Sequence, residues 1–453
     1  MKIVQLFFKN INSKNQEMKL VNLKLIFSIP ILTLLVYFLE FYILGSFYTQ
    51  QFWCVEVYRE FNILNLNNLR LPIHCDEGPY RFASSSLENF FDKTNPYQGR
   101  PLFVFLIAIL RNALNLVSFY LISDYLIFRI SMIFLQMIIL FFIFRTFVSI
   151  TGLKFKGTND YLILFLLIST PSIRWNLFFS SVENITFLLF LMTLNYLLNK
   201  HEFNTKNNKI FIFFGILSLA HMSAIIYGLI LELFRIIKYK KIQFKILIIR
   251  LLHLLVYQLI YRTVVLLSDF TFYDWHKEIY NQFYWILDYF QGKESIADCQ
   301  TFDTFWKCNF DVSQSFLGYF LILLIYVSIL FIAMKYLNYK LPLLVVYSFY
   351  INLLIFIFWS LQGLYEPFRF VNYSVGYFLF FASYIYILEF EKNTFLILSL
   401  LFYQYSVLYL EPYNTALNYP QINLFTFISF ILFLIFIFNL LIKNKKKQFS
   451  KYN

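Results

Sequence analysis

Residues 25–47 read LIFSIPILTLLVYFLEFYILGSF, an apolar run broken only by Glu40 and long enough to cross ~30 Å of hydrocarbon. The segment before it carries Lys2, Lys9, Lys14, Lys19 and Lys24 against one acid, Glu17. The run is too long for a secretory signal and lacks a small-residue cleavage site. A basic flank ahead of such a run predicts a first membrane span with its N-terminus in the cytoplasm.

The whole chain follows this pattern. Of 453 residues, 60% are hydrophobic and 14% charged, against about 25% charged in an ordinary globular domain. Too few charges are present to tile a water-facing surface. The expected fold is all-α: a polytopic membrane helix bundle of about ten to twelve transmembrane segments. The net charge of +13 would suit nucleic acid if it were spread over one face. Most lysines instead cluster between apolar runs, as cytoplasmic flanks do, so no nucleic-acid partner is expected. No phosphate loop, Cys–His zinc pattern, HExxH or GxSxG motif occurs. The 60 Phe and 35 Tyr accompany abundant Asn, Lys and Ile, as in an AT-rich genome, and carry little functional signal.

Three regions follow: a basic cytoplasmic N-terminus (1–24), an integral membrane domain (25–442) and a basic cytoplasmic tail (443–453). After the first span, residues 48–100 form a polar outside loop. Pro101–Tyr120 is apolar but sets Arg111, Asn112, Asn115 and Ser118 on one helical face. A single wet stripe predicts a juxtamembrane helix lying in the interface, the alternative being a span whose stripe faces the bundle. Further spans are predicted near 125–148, 161–175, 184–198, 245–268, 314–337, 341–361, 371–388, 394–410 and 423–442. Residues 210–234 have basic residues at both ends, which predicts a re-entrant hairpin broken around Gly215, Ala220, Ser223 and Gly228, or one span that violates the charge bias. Residues 269–313 form a second outside loop with eight acids against three Lys. The protein is expected to be multi-pass, with a bacterial plasma membrane favoured over the endoplasmic reticulum.

Cys54, Cys75, Cys299 and Cys308 all fall in the two outside loops. An oxidising compartment permits disulfides there. Cys54–Cys75 with Cys299–Cys308 is the preferred pairing, two other pairings and four free thiols being the alternatives. Neither pair has zinc-ligand spacing; no metal site is indicated, and a divalent cation has no sequence support.

The first loop holds the candidate chemistry. It reads His74-Cys75-Asp76-Glu77-Gly78-Pro79-Tyr80-Arg81-Phe82-Ala83, and later Asn95-Pro96-Tyr97-Gln98-Gly99-Arg100-Pro101-Leu102-Phe103. A carboxylate held near the bilayer surface can take a proton from an attacking sugar hydroxyl. A surface Asp-Glu pair at a Gly-Pro turn is the competing reading.

The order of these parts resembles the GT-C superfamily of polytopic, lipid-linked-sugar glycosyltransferases. That family follows its first span with an acidic D-x-x-x-Y-x-x-x-A segment, then R/K-P-P/L-x-x-x-L leading a juxtamembrane helix. Asp76, Tyr80 and Ala83 match the first element with one residue fewer between Tyr and Ala, and Arg100-Pro101-Leu102-Phe103 matches the second. Pro171 and Ser180-Ser181-Val182-Glu183 are similar to the family's P…S/T-E before the fourth span, with Glu183 displaced by one residue. The match covers mainly residues 25–235.

The resemblance implies a sugar moved from a polyprenyl-phosphate donor to a glycan, lipid or protein acceptor on the outer face. Asp76 is the first candidate for general base, Glu77 the second, and His74 a support for the pair. The leaving phosphate needs fixed cations, for which Arg369 and Arg174 are the candidates, with Arg100, Tyr80 and Glu183 completing the substrate-binding set. His221 and His253 lie in apolar segments, where packing or a hairpin contact is the expected role. The rivals are a polysaccharide polymerase or ligase using polyprenyl-diphosphate-linked glycans, a secondary transporter, for which no internal repeat is found, and a non-catalytic scaffold.

Overall fold

A computed structural model describes residues 2–39, 59–63, 66–71, 77–92, 95–118, 122–153, 155, 157–178, 182–198, 208–240, 242–268, 343–361, 393–406 and 420–452, with isolated positions between 291 and 335. The described elements are helices, as the all-α expectation has it, with one two-stranded ribbon besides. Strands β1 (Arg59–Ile63) and β2 (Leu66–Leu71) run antiparallel within the first loop, with Glu60 in register with Arg70 and an irregularity between Phe61 and Ile63. Period-two alternation was the signal: Phe61 and Ile63, then Leu69 and Leu71.

Three described helices are long and apolar enough to cross a membrane: Leu20–Phe38, Asp124–Thr151 and Phe244–Leu267. The first is the apolar part of α1 (Lys2–Phe38), which runs unbroken through the lysine-rich segment; residues 40–47 of the predicted span lie outside the described set. α5 (Asp124–Thr151) covers predicted span two. Ser123 caps it by accepting from the Leu126 N–H, and Gly152 ends it with φ 67°, a left-handed conformation that a Cβ resists.

Predicted span three is corrected. It divides into α6 (Thr158–Ile168) and α7 (Pro171–Phe178), because proline has no N–H to continue a helix but suits its first turn. α8 (Glu183–Leu198) has apolar residues around its whole circumference and is accordingly buried, packed against α5 and α7. Between α2 (Glu77–Ala83), α3 (Leu87–Phe90) and α5 runs α4 (Pro101–Val117). Its 17 residues rise about 25 Å, short of the ~30 Å hydrocarbon thickness.

Residues 209–239 form a hairpin. α9 (Lys209–Ser218) and α10 (Ser223–Tyr239) are separated by Leu219–Met222. α11 (Phe244–Leu267) shows that the two fold back on each other. Arg250 on α11 reaches both Asn208, before α9, and Glu232, well beyond the break on α10. A straight continuation would hold those partners more than 30 Å apart. His221 lies at the tip, where its Nδ1 accepts from the Ser223 N–H at 3.2 Å and meets Ser223 Oγ at 2.7 Å; partly buried His253 lies on α11. α10 and α12 (Leu343–Leu361) both pack on α8, and α13 (Thr394–Ser406) pairs with α14 (Pro420–Tyr452) and reaches α6. Predicted span 371–388 lies outside the described residues, as does most of 314–337.

The glycines have a different role from the one expected. Gly215 and Gly228 sit inside helices, where they let α9 and α10 approach α11; only Ala220 lies in the break. A Cβ on Gly215 would strike the His253 carbonyl oxygen, whereas one on Gly228 would meet the Leu254 side chain. Gly215→Ala is therefore expected to destabilise by about 1–3 kcal/mol through overpacking. Helix propensity alone would give about 1 kcal/mol of the opposite sign, so the direction of the thermal-midpoint shift in detergent decides the point. Gly228→Ala should cost less, since Leu254 can rotate.

Candidate functional site

Helix α2 has only seven residues, too few to be stable alone in water. Docking of one face accounts for it: Glu77, Tyr80 and Ala83 recur at helical spacing and all three are buried. Pro79 in the first turn gives up no needed N–H.

Arginines from α4, α5 and the turn before α4 fix that face. Arg129, in the second turn of α5, donates from Nη1 to Glu77 Oε2 at 3.0 Å, with side-chain exposures of 1% and 3%. Arg100 donates from Nη1 to the Tyr80 hydroxyl at 2.6 Å. The Tyr80 ring stacks on Tyr97 with centroids 3.9 Å apart and meets the Phe103 ring at 71°. Arg111 donates to the Arg81 carbonyl and Ser84 Oγ, and pairs with Asp124 at the start of α5.

The stripe expected to be wet is thus corrected at its most polar member. Arg111 is buried and turned toward α2, whereas Asn112 of the same stripe is exposed, together with Leu106, Ile109, Leu116 and Val117. Carbonyl, hydroxyl and carboxylate acceptors together satisfy this guanidinium, so its burial is compensated. The start of α4 is tied to the hairpin: the Leu102 N–H donates to the Leu219 carbonyl at 3.0 Å, and the Tyr261 hydroxyl of α11 to the Gln98 carbonyl at 2.8 Å.

The structure brings together Glu77, Tyr80 and Arg100 from the predicted set. Arg174 lies elsewhere: it is fully buried on α7, donates from Nη1 to the Gln404 carbonyl at 2.9 Å, and sits 4.8 Å from the Tyr405 ring centroid. Tyr405 also lines an apolar cavity of about 340 Å³ with Phe165, Leu398, Leu401, Phe402 and Phe425. Glu183 is the first residue of α8. Asp76, His74, Arg369, Cys54, Cys75, Cys299 and Cys308 lie outside the described residues. Among the described residues no group of three or more His, Cys, Asp or Glu could hold a metal ion.

Arg129 was missed from sequence, although a charged residue inside an apolar run is itself a signal of pairing or function. Glu77 Oε1 is buried without a hydrogen-bond partner among the described residues. One oxygen is committed to Arg129 while the other keeps its acceptor capacity.

Tyr80→Phe is expected to lower stability by about 1–2 kcal/mol, since it removes an acceptor from a charged donor. The ring stack should survive, so the thermal midpoint should fall while near-ultraviolet aromatic circular dichroism is largely retained. An unchanged midpoint would show that the Arg100 contact contributes nothing to docking α2.

The chain matches no protein-family model, no curated protein and no solved structure.

Proposed function

We propose that the protein is a multi-pass membrane glycosyltransferase that takes a sugar from a polyprenyl-phosphate donor. One observation carries the reading: the two loop segments similar to GT-C motifs, around Tyr80 and around Arg100, meet through the 2.6 Å hydrogen bond between these residues. A juxtamembrane role for α4 fits its short length and its apolar exposed residues.

In this reading the acceptor hydroxyl attacks C1 of the sugar and the C1–O bond to phosphate breaks. The bond electrons leave with polyprenyl phosphate, and the hydroxyl proton passes to a carboxylate, inverting the anomeric centre. Asp76 is the base. Glu77 is bound into its ion pair with Arg129 and anchors the segment instead. Arg100 and Arg369 are the cations for the leaving phosphate, whose charge grows in the transition state. Arg174 is bound to the Gln404 carbonyl of α13, and the apolar cavity along Tyr405 suits an isoprenoid chain. The transfer takes place on the outer face of a bacterial plasma membrane, with both termini in the cytoplasm.

The test is a proteoliposome assay with polyprenyl-phosphate hexoses and a crude glycan and lipid acceptor fraction. The expected result is release of polyprenyl phosphate together with a product of inverted anomeric configuration. Release from no hexose donor, in protein whose circular dichroism shows a folded helical chain, would overturn the proposal.

A further inference from the structure

A second buried charge cluster lies at the lysine-rich end of the α9–α11 hairpin, remote from α2 in sequence. Glu232 on α10 accepts from Arg235 Nε at its Oε2 and from Arg250 Nη1 at its Oε1, both at 2.6 Å. Arg250 Nε donates to Asn208 Oδ1 at 3.2 Å, and its guanidinium lies 4.6 Å from the Phe211 ring centroid. The side chains are 3–6% exposed.

Among the described residues two guanidiniums therefore share one carboxylate, leaving a surplus positive charge in a buried setting. Such a charge costs several kcal/mol unless an anion offsets it. Arg235 Nη2 is buried and has no hydrogen-bond partner among the described residues. Lys209, Lys238, Lys240 and Lys245 are exposed at the same end. No described carboxylate besides Glu232 joins the cluster.

We infer that this end of the hairpin binds the phosphate group of an anionic membrane lipid. The planar fork of an arginine matches phosphate oxygens, and basic pockets between membrane helices are suited to lipid headgroups. Phosphate as an anion explains the charge surplus; the surrounding surface selects a lipid as its source. Ile237, Phe244 and Ile248 on the same helices are exposed and apolar, so acyl chains find a matching surface where a free phosphate ion finds none. The inference does not depend on the transferase reading.

The full chain in nanodiscs, followed by native mass spectrometry, tests it. Wild type is expected to retain phosphatidylglycerol over phosphatidylcholine, and Arg235→Gln to retain it about fivefold more weakly, the effect of one cation at a membrane surface. Arg235→Gln leaves Glu232 and Arg250 as a one-to-one pair, so its thermal midpoint in phosphatidylcholine should not fall. Equal retention by both proteins overturns the site. Displacement of the lipid by excess inorganic phosphate overturns the lipid assignment, because a soluble anion would then suffice. Should Arg235→Gln fail to fold, wild type alone decides: a midpoint higher in phosphatidylglycerol than in phosphatidylcholine supports the site, and equal midpoints overturn it.

Discussion

Asp76→Asn is expected to reduce sugar transfer by about 10²–10⁴-fold, the usual contribution of a positioned general base, with insertion and thermal midpoint unchanged. The substitution is informative because of where Asp76 falls. It immediately precedes α2, whose first residue is Glu77, and aspartate at that place has an ordinary structural use as a helix N-cap. Asparagine caps about as well as aspartate but cannot accept a proton at neutral pH. A purely structural Asp76 therefore predicts no change in either readout, whereas a catalytic one predicts loss of turnover alone. Asp76→Ala removes the carboxylate together with any capping oxygen, so a midpoint about 1 kcal/mol below that of Asp76→Asn would report a cap and separate the two roles. Undiminished transfer by Asp76→Asn would remove the base from the mechanism.

Arg129→Leu should have the largest effect on stability, about 3–5 kcal/mol, because it strands the Glu77 carboxylate in a buried site. Net protein stabilities are often only about 5–15 kcal/mol, so the variant is expected to be poorly recovered from the membrane or to melt far below wild type. Coulomb attraction is not the main reason. A buried pair gains little over well-packed apolar side chains, and the penalty comes from leaving one charge without its partner. The double variant Glu77→Gln/Arg129→Leu should consequently recover most of the lost stability. If the pair also holds the segment that bears Asp76, the double variant should fold and still transfer sugar poorly, with the defect in kcat. Full activity in the double variant would limit the pair to a structural role, and an unperturbed midpoint in Arg129→Leu would show that α2 docks without it.

Legibility in the sequence differed by element. Predicted spans 125–148 and 245–268 reappear as α5 and α11 within a few residues, because hydropathy over such lengths is a one-dimensional property. The hairpin at 210–234 was readable from Lys209 at one end and Arg235 at the other, a charge pattern that disfavours a single crossing. The break between α6 and α7 was signalled by Pro171, yet the apolar run around it hid the signal. Arg111 shows the limit of periodicity: its spacing with Asn112 and Asn115 gave a face, but whether that face met water or α2 depended on residues outside the helix.

The sequence by itself carried the membrane reading, with which three long apolar helices agree, and marked the runs at 125–148 and 245–268 that become helices. A bilayer leaves little choice, since every backbone polar group in it must be satisfied within a helix or a closed barrel. It also marked the loop segments around Asp76, Tyr80 and Arg100 as one candidate site. Only the tertiary structure decided which buried charges are partners. Glu77 and Arg129 stand 52 positions apart and Glu232 and Arg250 stand 18 apart, and no local pattern links either pair. Composition governs entry into the membrane because transfer free energy sums residue by residue. Pairing depends on which helix faces meet, and that is a property of the packed bundle alone.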